Sequence, residues 1–94
     1  MPVTSFRHKG LKALFEGNST RGVDHDLAAK LRRMLAALDR AASLDELETL
    51  PGWRLHALRG DLAGRYSLSV SGNWRLIFRF ENGNASDIDR VDYH

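Results

Sequence analysis

The hydrophobic pattern of this chain changes period once, near Trp53, from helical spacing to alternation. Apolar residues three and four apart line one face of a helix, whereas apolar residues two apart line one face of a strand. A single switch separates a helical half from a stranded half. The economical way to bury both apolar faces is an α+β domain, with N-terminal helices packed on one face of a mainly antiparallel C-terminal sheet.

Upstream of the switch, Val3–Phe6 is apolar enough to open as a strand before Gly10. Leu11, Leu14 and Phe15 then fall at helical spacing, and Gly17-Asn18 supplies a C-terminal stop. A stronger stripe follows in Leu27, Leu31, Met34, Leu35 and Leu38, with Lys30, Arg32, Arg33, Asp39 and Arg40 mostly off it. This predicts a helix near residues 25–41. Ser43-Leu44-Asp45-Glu46 fits a capping box, with Ser43 as cap and Glu46 at the third position, opening a further turn that Pro51-Gly52 closes.

Downstream, Trp53, Leu55 and Ala57 alternate with Arg54, His56 and Leu58. Tyr66, Leu68 and Val70 alternate with Arg65, Ser67 and Ser69, and Trp74, Leu76, Phe78 and Phe80 with Arg75, Ile77 and Arg79. Gly60 and Gly64 read as a hairpin loop, and Ser71-Gly72-Asn73 and Asn82-Gly83 carry turn chemistry, which predicts a meander ending in a strand through Asp89–His94. Ile88 and Val91 have opposite parity, which points to a bulge or to burial on both faces of that strand.

Ninety-four residues make one small domain, here 1–94, without internal repeat or linker. Cysteine is absent, so packing rather than disulfides must hold it. The opening residues have no apolar stretch of signal-peptide length and the chain has no membrane-spanning run, so a cytoplasmic protein with no membrane partner is expected. The net charge of +2 conceals segregation: residues 1–40 carry eight Lys and Arg against four acids, and residues 51–80 five Arg against one acid. Two basic blocks point to a polyanionic partner.

If the large apolar residues of the strands face the helices, the other face presents Arg54, His56, Ser67, Ser69, Arg75 and Arg79. Three arginines and an imidazole on one face suit a phosphodiester backbone, because guanidinium offers a forked donor to phosphate oxygens. Asp92 and His94 share a parity on the last strand and are expected to border this face, beside Tyr93. No two histidines have metal-ligand spacing on a common element, and neither a phosphate-binding glycine loop nor a nucleophile elbow is present, so no metal and no cofactor are expected. A DNA-binding repressor is disfavoured for want of a helix-turn-helix pattern. A basic RNA- or ribosome-binding module without catalysis remains the alternative to an enzyme.

Gly52-Trp53-Arg54-Leu55-His56, Leu58-Arg59-Gly60-Asp61, Ser69-Val70-Ser71-Gly72-Asn73-Trp74-Arg75-Leu76 and Val91-Asp92-Tyr93-His94 resemble the HigB group of RelE-like bacterial toxins, also called plasmid maintenance killer proteins. The opening Ser5-Phe6-Arg7-His8-Lys9-Gly10-Leu11 is similar to the start of that group, so the resemblance runs nearly end to end. It implies a RelE-like fold and a metal-independent endoribonuclease that cleaves translated mRNA in the ribosomal A site. The implied partners are the ribosome, its message and a cognate helix-turn-helix, HigA-like antitoxin, with DNA touched only through the antitoxin complex.

By motif position the resemblance implies that His56, Arg59, Arg75, Asp92, Tyr93 and His94 are catalytic; Arg54 and Arg79 of the basic face, with Asn73 of the turn, are expected as RNA contacts. Arg59 stands where the group usually has Lys, which favours phosphate binding there over proton transfer. His56 and His94, with Asp92, are expected to transfer protons or orient one another, in either order. Arg59 and Arg75 offset phosphate charge, and Tyr93 stacks on a base or hydrogen-bonds to the backbone.

Overall fold

A computed structural model describes residues 1–92. Helix α1, Lys9–Gly17, is opened by His8, whose Nδ1 accepts the Leu11 N–H at 3.1 Å, and is closed by Asn18 in the left-handed region. Helix α2, Ala28–Arg40, follows a turn of 3₁₀ helix at His25–Leu27. It buries Leu31, Met34, Leu35 and Leu38 completely, as the stripe requires. Full burial of one such side chain is worth about 1.5–3 kcal/mol, so this face alone fixes the helix on the sheet.

Helix α3 is five residues long, Leu44–Glu48. Its cap departs from the expected box. The Ser43 side chain makes no capping bond, and Glu46 Oε2 reaches past it to accept the Ala42 N–H at 2.9 Å. The longer carboxylate arm serves the entering chain one residue earlier than the motif implies.

The sheet is a four-stranded antiparallel meander in the order β1-β2-β3-β4, formed by His56–Ala57, Arg65–Ser69, Trp74–Glu81 and Asn84–Asp92. Strand β1 is far shorter than the alternation from Trp53 predicts, because Gly52 and Arg54 both take positive φ, 81° and 50°. The Trp53 carbonyl still accepts the Ser69 N–H at 2.6 Å, so the segment stays beside β2 without continuing its ladder. Between β3 and β4, Asn82 and Gly83 both have positive φ, as a type I′ turn demands.

The parity conflict on β4 is a bulge. Arg79 faces Ser86 and Ile77 faces Asp89, so Asp87 and Ile88 together oppose Phe78, and Asp87 takes a φ of 51°. Ile88 is thereby fully buried in the core. The outer edge of β4 is covered by the N-terminal segment, which pairs in parallel through Val3 with Ala85 and Phe6 with Ile88 rather than forming a regular strand. Bonds from Thr4 N–H to the Ala85 carbonyl and from Arg7 N–H to the Ile88 carbonyl flank the bulge, which interrupts a continuous ladder.

The helices lie on one face of the sheet, as expected. Leu11, Leu14, Leu31, Met34, Leu35, Leu38 and Leu47 meet Leu68, Val70, Leu76, Phe78, Ala85 and Ile88 in one core cluster. Among the described residues no helix is long and apolar enough to cross a membrane.

Candidate active site

The face of the sheet turned away from the helices is built in rows. His56, Ser67, Ile77 and Asp89 are partners across all four strands, and Ser69, Arg75 and Val91 form the next row. By strand spacing and rise, His56 and Arg75 are roughly 12 Å apart at Cα. Both residues line the space between them.

That space is a cleft of about 310 Å³ lined by Arg54, Leu55, His56, Ser67, Ser69 and Arg75. Five of the six residues that alternation assigns to this face therefore meet in it. Its floor is drier than a solvated strand face, because Ser67, which lines it, is only 3% exposed. Charges around such a floor are less screened than on an open surface, which strengthens their hold on an anion.

Arg75 is anchored from its own hairpin. Its Nη1 donates to the carbonyls of Ser71, Gly72 and Trp74 at 3.1, 3.3 and 3.2 Å. The tight Ser71-Gly72-Asn73 turn gathers these carbonyls, so the guanidinium is positioned before any ligand arrives. Arg54 enters the cleft from the segment whose backbone is in the left-handed region, a conformation that costs a non-glycine residue of order 1 kcal/mol or more.

Other expected site residues lie elsewhere. Arg79 stands one row beyond His56, opposite Arg65, and its Nη1 pairs with Glu81 at 3.4 Å instead of lining the cleft. Arg59 is exposed at the start of the 3₁₀ turn Gly60–Leu62 and does not line the cleft either. Asn73 is exposed at the tip of the β2–β3 turn. Asp92 is the register partner of Trp74, which puts it on the opposite face from Arg75. The bulge causes this. Counted back from the Asn82-Gly83 turn without the extra residue, Arg90 and Asp92 would share the face of Arg75; the extra residue exchanges them for Asp89 and Val91. Tyr93 and His94 lie outside the described residues.

Two residues outside the expected set bear on the site. Asp89 is the carboxylate in the row of His56, and its Oδ1 accepts the N–H of Arg90 at 2.8 Å. Lys30 extends from α2 and donates from Nζ to the Val70 carbonyl at 2.6 Å, beside the anchored Arg75. Its position off the apolar stripe was the only sequence signal, since the contact spans 40 residues. On the far side of the sheet the Arg90 guanidinium lies 3.9 Å from the Trp74 ring centroid, and Nη1 is 3.7 Å from Asp24. Trp74 is therefore a structural partner of Arg90 rather than an open stacking platform. Among the described residues no three His, Asp or Glu gather as metal ligands would.

The sequence matches the family described as the RelE-like toxin of type II toxin-antitoxin system HigB over residues 4–94. It is 41% identical over 92 residues to the Endoribonuclease HigB of Proteus vulgaris, covering 98% of this chain and 99% of that one. It is 33% identical over 81 residues to Toxin HigB-1 of Vibrio cholerae, covering 85% of each. Among solved structures, YafQ of E. coli strain BL21(DE3) superposes with a TM-score of 0.61 at 15% identity, over 96% of this chain and 90% of that one. YoeB from the Staphylococcus aureus YoeB-YefM complex gives 0.61 at 20% identity, over 100% and 97%. The last two establish the fold as that of the RelE-like toxins.

Proposed function

Because the chain belongs to the HigB-like toxins, the RelE-like toxins of type II toxin-antitoxin systems, we propose that it is an endoribonuclease that cleaves messenger RNA and so arrests translation. The observation that carries this reading is the cleft of Arg54, His56, Ser67, Ser69 and Arg75, whose imidazole and guanidinium groups suit a phosphodiester. The relative named an endoribonuclease aligns with nearly the whole chain.

RNA brings its own nucleophile. A base removes the proton of the 2′-hydroxyl, the oxygen attacks the adjacent phosphorus, and the bond from phosphorus to the 5′-oxygen breaks as that oxygen is protonated. The products end in a 2′,3′-cyclic phosphate and a 5′-hydroxyl. His56 is one proton carrier in this scheme, since an imidazole exchanges protons near neutral pH. Arg75 stabilises the charge that develops on the phosphorane, with Arg54 beside it. Tyr93 and His94 supply the remaining groups, with Asp92 at the base of this terminal segment but on the face opposite Arg75, and Arg59, Asn73 and Arg79 are outlying phosphate contacts.

The cleft is open and the net charge only +2, so the chain has a modest grip on a flexible strand. Phosphate contacts weaken steeply as salt rises. We assign the missing alignment to the ribosome, which would present the message bent in its A site, so that the nucleophile and phosphorus meet already oriented. A HigA-like helix-turn-helix antitoxin is the partner that holds the toxin in check.

The test follows one message at near-physiological salt, free and programmed on ribosomes. Cleavage on ribosomes alone, with a 2′,3′-cyclic phosphate end, supports the reading. Equal rates free and bound would leave a free-standing ribonuclease, and tight ribosome binding without cleavage would leave a non-catalytic module.

A further inference from the structure

We propose a second phosphate-binding subsite beside the His56 cleft, formed by Lys30, Arg54 and Arg75 around Gly52, Ser69 and Ser71, which takes a phosphodiester of the same single RNA strand flanking the scissile one. The proposal rests on the nuclease reading only for which phosphate is cleaved; the binding site stands on its own geometry.

A second cleft of about 270 Å³ adjoins the first and shares Arg54, Ser69 and Arg75 with it. Its other walls come from Lys30 on α2, from Gly52, and from the β2–β3 turn. Neither cleft is lined by an acid, so the pair forms a continuous cationic trough about two such clefts long. A strand lying in the first must leave through a neighbouring space, and this one carries the charge to receive it.

Two of the three cations, Lys30 and Arg75, are held by hydrogen bonds within the fold. Lys30 Nζ spends one of its three hydrogens on the Val70 carbonyl, which fixes the ammonium at the turn and leaves donors that can meet phosphate oxygen. Arg75 is fixed by three carbonyls of the same turn. Arg54 lies between the two clefts because its backbone abandons the strand at a φ of 50°. A regular strand would serve β1 better. Strain retained where a charged side chain enters a cleft is the pattern of a functional position.

The arrangement separates binding from chemistry, since Lys30 lines only the second cleft and His56 only the first. Lys30→Gln removes the charge and should raise KM on ribosome-programmed message severalfold while kcat stays within about twofold. Lys30→Arg should restore KM. In solution, a short all-deoxy oligonucleotide, which cannot be cleaved, reports binding by fluorescence anisotropy at low salt. Loss of one phosphate contact should flatten the plot of log affinity against log salt by about 0.7. Arg54→Gly should weaken oligonucleotide binding without lowering the thermal midpoint, because glycine accepts the left-handed backbone freely.

Unchanged KM and salt slope in Lys30→Gln would overturn the subsite, as would a Lys30→Arg protein no better than Lys30→Gln, which would mark Lys30 as a structural cap on Val70. Lys30-dependent binding of the oligonucleotide in a parent chain that cleaves no message would support the subsite and overturn the nuclease reading instead.

Discussion

Replacing Arg75 with alanine separates catalysis from folding by magnitude. In the folded chain Arg75 Nη1 bridges the carbonyls of Ser71, Gly72 and Trp74, so its removal loosens the β2–β3 turn. A neutral hydrogen bond contributes about 0.5–1.5 kcal/mol net, but these carbonyls sit at a partly exposed turn where water replaces the donor, so the total loss should be about 1 kcal/mol. For a domain of this size that lowers the melting temperature by roughly 4–8 °C. A protein that starts with about 5 kcal/mol or more of stability then remains folded in all but about one molecule in a thousand. Unfolding therefore cannot account for a large fall in rate. Loss of a preorganised donor to the phosphorane should cut kcat by roughly 100- to 1,000-fold, equivalent to about 2.7–4 kcal/mol. Arg75→Lys, which keeps the charge and loses the fork, should fall between. The assay is single-turnover cleavage of ribosome-programmed message, with circular dichroism melting on the same samples. A folded Arg75→Ala protein that cleaves within threefold of the parent would show that the cleft's guanidinium does not act on the reacting phosphate.

Three other outcomes are expected. His94→Ala should abolish cleavage and growth arrest with the melting temperature unchanged, and full toxicity in a soluble variant would remove the terminal residues from the site. Arg79→Ala, which loses an outlying phosphate contact and an ion pair with Glu81, should raise KM severalfold at most and leave kcat within about threefold, because such exposed pairs contribute little; a hundredfold loss of kcat would place Arg79 at the reacting phosphate. Gly10→Ala should destabilise the fold by about 1–3 kcal/mol in urea titration, since a Cβ there would overlap the Gly22 carbonyl and force α1 from the adjoining loop. Equal unfolding midpoints for the variant and the parent would show that the two segments yield freely.

The elements that sequence made legible are those written in nearest neighbours. The stripe from Leu27 to Leu38 places α2, Asn82-Gly83 places the last hairpin, and the conflicting parities of Ile88 and Val91 announce the bulge. The cleft itself was half legible: Arg54, His56, Ser67, Ser69 and Arg75 share a face because alternation is a local rule. Its boundaries were not. Arg54 breaks β1 through a backbone angle that no side-chain pattern encodes, and Lys30 arrives from another element over a separation of 40 residues. Parity also failed for Asp92. The bulge was anticipated as a feature but not located, and a single extra residue reverses which side chains accompany Arg75.

The pairing of Val3 and Phe6 with Ala85 and Ile88 sets the order in which the fold can be completed. Each pair joins residues 82 apart in the sequence, so synthesis delivers the first partner long before the second. Until then the N-terminal segment has no strand to lie against, and the edge that it covers does not yet exist. Closing so long a loop is slow compared with winding α1 or α2, so the last ladder to form is the one that joins these two distant segments. Until those bridges close, the outer edge of β4 stays bare and the sheet on which the cleft is built is incomplete.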